Sequence, residues 1–231
     1  MKRRTFLTAA IATVISTKAF ATNFIANEVK PFSESKFKIL ALVFDDYETL
    51  DLHGPIEMLG HMKDVEIKLI GATDIVPSYQ GPRVLTNLPL VITECDLLII
   101  PGGLGTRKEI DNVILLDWLK SQTEVSTKVF SICTGSVLLA KAGILDGLNA
   151  TTNKMAYRWV TSISNKVKWH SKSRWVDDGK FLTSSGVSAG TDAALYFISQ
   201  LRGLDEANRI ERLAEYSWNS DRLNDPYSVK E

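Results

Sequence analysis

The segment Lys128-Val-Phe-Ser-Ile-Cys133-Thr-Gly-Ser-Val-Leu-Leu-Ala-Lys141 sets two backbone preferences against each other with no residues to spare between them. Its first half is β-branched and aromatic, the composition of a short buried strand. Its second half, from Gly135 to Lys141, is rich in Leu and Ala and favours a helix. A strand that becomes a helix without a loop must turn sharply at the join, and the join is Cys133. The corner side chain is then pushed out over the sheet edge, the geometry of a nucleophile elbow with sulfur in place of oxygen. An isolated Cys is more often a small buried hydrophobe, but a Cys at such a corner sits beside unpaired helical N–H groups. Those groups favour thiolate over thiol and predict a depressed pKa for Cys133.

The rest of the chain supplies the scaffold that such an elbow needs. Phe37 to Phe44, Val65 to Ile70 and Asp96 to Ile100 are apolar runs suited to buried parallel strands. Thr49 to Met62 and Ile110 to Thr123 read as helices between them, the second amphipathic through Ile114, Leu115, Trp118 and Leu119. Tyr79 to Thr93, with Gly81-Pro82 and Pro89, reads as a short hairpin or irregular crossing. Beyond the elbow, helices are expected over Met155 to Ser162 and Asp205 to Trp218, and strands over Val167 to Val176 and Lys180 to Ser184. A helix runs from Ser188, its candidate N-cap, to Arg202. Strand and helix alternate throughout, so the expected fold is α/β, one doubly wound, mostly parallel sheet of flavodoxin-like type. Sites in such sheets lie at the carboxyl ends of strands, where Phe44, Gly102 and Cys133 fall.

The chain has 231 residues, 45% hydrophobic and 23% charged, enough for one globular domain with a full core. Its formal net charge of zero conceals an uneven distribution. Residues 1–21 carry Lys2, Arg3, Arg4 and Lys18 and no acid, leaving 23 basic against 27 acidic residues beyond them. No basic patch stands out, which argues against nucleic acid as a partner. The pair Arg3-Arg4 is followed by Phe6-Leu7, a moderately apolar stretch and the small-x-small pattern Ala19-Phe20-Ala21. Residues 1–21 therefore read as a twin-arginine-type signal peptide, 22–36 as a leader, 37–218 as the domain and 219–231 as an irregular tail. The apolar run is too short to remain as a membrane anchor, so a periplasmic location is expected.

The two cysteines should both be free. Cys95 opens one strand and Cys133 ends another, which in a parallel sheet separates them by roughly 20 Å, whereas a disulfide needs α-carbons within about 7 Å. Two cysteines and three scattered histidines have no metal-ligand spacing. Gly102-Gly103-Leu104-Gly105 lacks the context of a dinucleotide fingerprint. No cofactor is therefore expected.

Several spaced motifs carry a resemblance. Strand-Pro101-Gly102-Gly103, strand-Cys133-Thr134-Gly135-helix, Ala150-Thr151-Thr152, and Ser185-Gly186-Val187-Ser188-Ala189-Gly190 with Asp192 together resemble the ThiJ/PfpI superfamily of the class I glutamine amidotransferase-like fold. Leu50-Asp51-Leu52-His53-Gly54-Pro55 is most similar to its isocyanide hydratase branch. The resemblance implies Cys133 as nucleophile and Asp51 as its acidic partner. It implies backbone N–H donors at Gly103 and Thr134 for an oxyanion beside Gly102, and Thr134 and Val187 as pocket residues. A carboxyl beside a thiolate is disfavoured as an anion, so Asp51 is suited to keep and donate a proton. Many members have His directly after Thr-Thr; this chain has Asn153, and an amide cannot take up a proton in turnover. His53, His61 and His170 fill no motif position of that kind.

Three functions follow from the resemblance. One is cofactor-independent hydration or lyase chemistry on a small electrophilic substrate such as an isocyanide. A second is glyoxalase, deglycase or amidohydrolase chemistry, which Asn153 weakens. The third is a periplasmic redox-stress or small-ligand sensor with an oxidisable thiol. A homodimer is also implied.

Overall fold

The computed structural model describes residues 32–229; the twin-arginine segment and the first part of the leader lie outside them. A six-stranded sheet runs in the order β2-β1-β5-β6-β10-β9. Here β1 is Phe37–Leu42, β2 Val65–Ile70, β5 Cys95–Ile100, β6 Ser126–Ser131, β9 Trp175–Asp178 and β10 Phe181–Ser184. All neighbours are parallel except the β9–β10 edge pair, which turns back through Gly179 at φ 62°. β1 and β5 are buried along nearly their whole length, which explains why their sequences read as continuous apolar runs.

The helices are α1 (Thr49–Gly60), α2 (Thr106–Glu109), α3 (Val113–Val125), α4 (Gly135–Lys141), α5 (Tyr157–Ile163), α6 (Ser188–Arg202) and α7 (Leu204–Leu213). α1 packs on α6, and α6 on α7, while α4 contacts α2, α3 and α5. Gly54 makes the first packing possible: a Cβ there would lie 2.3 Å from Thr191 Oγ1. Close approach of α6 is thus part of how α1 presents Asp51 to the sheet. Among the described residues no helix is long and apolar enough to cross a membrane.

Four elements differ from the sequence reading. The last helix, expected over Asp205 to Trp218, stops at Leu213, and Glu215 beyond it takes a left-handed φ of 49°. The expected strand over Val167 to Val176 divides into β8 (Lys168–Trp169), which pairs with β7 (Asn149–Ala150) in a separate two-stranded sheet, and β9 in the main sheet. The bend between them is held by the buried Lys154, whose Nζ donates to Ser173 O at 2.7 Å and His170 O at 3.4 Å. Ser188 is the first residue of α6 and not its cap; its Oγ accepts from Arg174 instead. The crossing before β5 contains a hairpin, β3 (Ile75–Pro77) with β4 (Arg83–Leu85), which turns through Gly81-Pro82 as expected but begins before the expected span of Tyr79 to Thr93.

Among its described residues, up to Val229, the carboxyl-terminal tail has no helix or strand, yet it is built into the domain. Arg174 and Asp192 form a buried ion pair, with Arg174 Nε 2.8 Å from Asp192 Oδ2. Asp192 also receives the Tyr216 hydroxyl and the Asn219 N–H. Asp225, equally buried, lies 3.6 Å from Arg174 Nη1, and its own N–H donates to Lys172 O. Buried charges persist only where partners compensate them, so this cluster fixes the tail against β9 and α6.

Candidate active site

Cys133 is the corner between β6 and α4, and its backbone lies in the left-handed region at φ 55°. For a residue with a Cβ this costs roughly 1–2 kcal/mol, so the surroundings must impose it. The Cys133 N–H donates to Ser185 O at 2.9 Å. Its carbonyl accepts from Thr152 Oγ1 at 3.0 Å and Ser136 Oγ at 3.2 Å. Gly135 completes the turn, because a Cβ there would lie 2.3 Å from Ile100 O. The elbow expected from the strand-to-helix join is therefore present and clamped at both of its peptide groups.

Asn153 Nδ2 donates to the sulfur at 3.1 Å, and the nearby backbone N–H groups of Thr134 and Val187 pull the thiol pKa down against its burial. Asn153 Oδ1 accepts the Ala156 N–H at 2.8 Å, which turns the amide so that its nitrogen faces Cys133. Gly186 provides the room, since a Cβ there would lie 2.7 Å from Asn153 Nδ2.

Asp51, in the first turn of α1, is fully buried. Its Oδ2 accepts the Gly102 N–H at 3.0 Å. Oδ1 is buried with no partner of ordinary hydrogen-bond geometry, and the carboxyl is coupled to the Cys133 thiol. Burial pushes Asp51 from its ordinary 3.8 up to about 7, against the opposing pull of the Cys133 and Gly102 hydrogen bonds. Burial likewise pushes the Cys133 thiol well up, and the charge of Asp51 adds to this. The depressed thiol pKa expected from the helix terminus is thus reversed: a seven-residue helix end cannot offset full desolvation beside a carboxylate. Burial beside each other thus holds both groups toward their protonated forms.

One of the expected oxyanion donors is already engaged: the Gly103 N–H donates to Thr134 Oγ1 at 3.0 Å. Thr106, which no sequence signal identified, ties this corner together by donating to Gly103 O at 2.7 Å. Gly102 lies behind the cleft and acts on Asp51; a Cβ there would meet Thr134 N at 2.5 Å and Asp51 Oδ2 at 2.9 Å.

Cys133, Thr134, Gly103, Asn153 and Val187 line a cleft of ≈ 350 Å³, a size suited to a small molecule. Glu48, Tyr79, Leu104, Arg107, Met155 and Ala156 complete its walls, and only the folded chain shows that they meet. The histidines stand elsewhere: His53 is on Thr49 O, His61 on Glu57 and His170 on Asn149. Cys95 is buried at the opposite end of β5 and, like Cys133, is free. Among the described residues no cluster of His, Cys, Asp and Glu could hold a metal ion.

Comparison with known proteins identifies the family. The chain is 32% identical over 179 residues to the isonitrile hydratase of Pseudomonas putida, covering 76% of this chain and 77% of that protein. It is 27% identical over 130 residues to the HTH-type transcriptional regulator GbdR of Pseudomonas aeruginosa, of which it spans only 34%. Among solved structures, a ThiJ/PfpI family protein from Pseudomonas syringae superimposes with a TM-score of 0.70 at 25% identity, covering 79% of this chain and 76% of that one. Residues 37–200 match the DJ-1/PfpI family, and the chain belongs to that family.

Proposed function

We propose that this protein is a cofactor-independent enzyme that hydrates a small isonitrile-like electrophile, with Cys133 as nucleophile and Asp51 as proton shuttle. The observation that carries the reading is Asp51: a buried carboxyl coupled to the nucleophilic sulfur, with its pKa at about 7, where a shuttle works best. Sγ attacks the terminal carbon of R–N≡C while the proton shared by the pair passes from Asp51 to that carbon, giving the thioimidate R–N=CH–S. Water adds across the C=N bond, hydroxyl to carbon and proton to nitrogen. Asp51 then takes the hydroxyl proton as the C–S bond breaks, which releases R–NH–CHO and restores the pair.

This chemistry fits the engaged Gly103 donor. The attacked carbon of an isonitrile bears no oxygen, so the first step builds no oxyanion, and the Asn153 amide serves the sulfur. Amide hydrolysis or glyoxalase chemistry needs both an oxyanion site and a base in place of the Asn153 amide. The similarity to isonitrile hydratase over three-quarters of the chain supports the same choice. A thiol sensor is the second reading, favoured by the regulators among the relatives. Turnover of an isonitrile and of methylglyoxal, with Cys133→Ser as the blank, tests these alternatives. Formamide release from the isonitrile alone is the expected result, and no turnover of either compound leaves the sensor.

Two further proposals accompany this reading. Residues 1–21 direct the folded protein to the periplasm. The protein acts as a homodimer, which a light-scattering mass near 25.7 kDa at micromolar concentration would contradict.

A further inference from the structure

The Cys133 cleft has a neighbour. A second cavity of ≈ 370 Å³, mostly apolar, lies across the ridge formed by Asn153, Met155 and Val187, which line both spaces. Gly186 and Ser188 contribute to its lining from the segment before and at the start of α6, and Tyr227 contributes from the carboxyl-terminal tail. Met155 is 95% exposed at the ridge, and Tyr227 is 72% exposed, so both side chains lie open to an incoming molecule.

The position of Tyr227 is not accidental to the fold. Its N–H donates to Asp225 Oδ1 at 2.8 Å, and Asp225 is the tail residue drawn to the buried Arg174 and facing the charge of Lys154. Arg222 O accepts the Arg174 N–H at 2.8 Å and Ser228 N–H returns to Asp225 O at 3.0 Å. The tail is thus pinned on both sides of Asp225, and the pin sets Tyr227 over the second cavity. Lys154 follows Asn153 directly in the chain, so the residue that faces the sulfur and the residue that faces the tail anchor are neighbours.

From this we infer that the second cavity is a specificity compartment: the substrate carries an apolar alkyl or aryl substituent that crosses the Asn153–Met155–Val187 ridge and packs against Tyr227 while its electrophilic head lies at Cys133. The inference rests on Cys133 being the reactive group of the proposed function, but not on which reaction it performs. The shared ridge, a lining that is mostly apolar, with the Lys154 ammonium turned to Thr151 and Ser173, and the anchored aromatic side chain select an apolar tail over a charged one.

Covalent labelling of Cys133 by N-methyl- and N-benzylmaleimide tests the compartment without requiring turnover. In each case Sγ bonds to one alkene carbon and the thiol proton ends on the other. Rates are read by mass spectrometry at the Cys133 peptide and divided by the rate of the same reagent with free glutathione. The benzyl-to-methyl ratio so corrected is expected to be about 10 or more, from burial of the added ring. Tyr227→Ala is expected to reduce that ratio several-fold and Tyr227→Phe, which keeps the ring, to restore it. A corrected ratio near 1 in the parent, or one unchanged in Tyr227→Ala, overturns the inference. A preserved ratio in a protein that turns over no isonitrile keeps the compartment and removes only the hydratase reading.

Discussion

Asn153 donates its side-chain amide to Cys133 Sγ at 3.1 Å while its carbonyl oxygen is held by the Ala156 N–H. The position next to Thr-Thr, where a base would complete a Cys–His pair, is therefore occupied by a fixed donor. It can stabilise charge on sulfur but cannot remove a proton. Proton transfer at this site is left to Asp51.

The Asn153 contact depends on Gly186, and this gives a test of what the amide contributes. Gly186→Ala places a methyl 2.7 Å from Asn153 Nδ2 and must displace the amide. A lost hydrogen bond to a charged group is worth about 1.5–3 kcal/mol, so Cys133 alkylation by iodoacetamide should slow by roughly tenfold or more. Asn153→Ala should slow it comparably. Unchanged alkylation in both variants would show that the amide contributes nothing to thiol reactivity.

The raised pKa of Asp51 has a consequence for stability. Its ordinary value of 3.8 rises to about 7 in the folded protein, so the folded state binds the proton more tightly than the unfolded chain. Stability from this group is fully present below 3.8 and is lost as pH rises through about 7, by up to about 4 kcal/mol. Asp51→Asn has no charge to bury and lacks this loss. Thermal unfolding should therefore show the melting temperature of the variant gaining on the parent between about pH 4 and about pH 8. A constant difference across that range contradicts the assignment.

Export is tested by replacing Arg3 and Arg4 with Lys. Full-length protein should then accumulate in the cytoplasm, as expected for a twin-arginine signal. Arrival of the Lys-Lys variant in the periplasm at the parent's rate would contradict that proposal.

The elbow was legible because strand and helix compositions abut at Cys133 with no loop residues. The apolar runs of β1, β2 and β5 were legible because burial on both faces removes alternation. Asp51 became visible only through the resemblance carried by Leu50 to Pro55, since one acid in a helix gives no local sign of its partner. The thiol pKa was misjudged because sequence shows the helix end and not the desolvation. Thr106 and Arg107, Met155, and Tyr227 reach the site from three separate segments, and only tertiary packing brings them together. The packed tail was hidden for the same reason: Asp225 looks like any acid in a polar terminus until Arg174 and Lys154 are placed beside it.

The central claim is that Asp51 carries the proton for Cys133, and its most direct test is steady-state turnover of an isonitrile by Asp51→Asn. The substitution keeps the size of the side chain and an oxygen to accept the Gly102 N–H, but removes the titratable group. Loss of a general acid–base group costs about 10²–10⁴-fold, so kcat should fall by that order in a variant that remains folded, while Asn153→Ala falls far less. Near-parent turnover in Asp51→Asn on the same isonitrile would contradict the account.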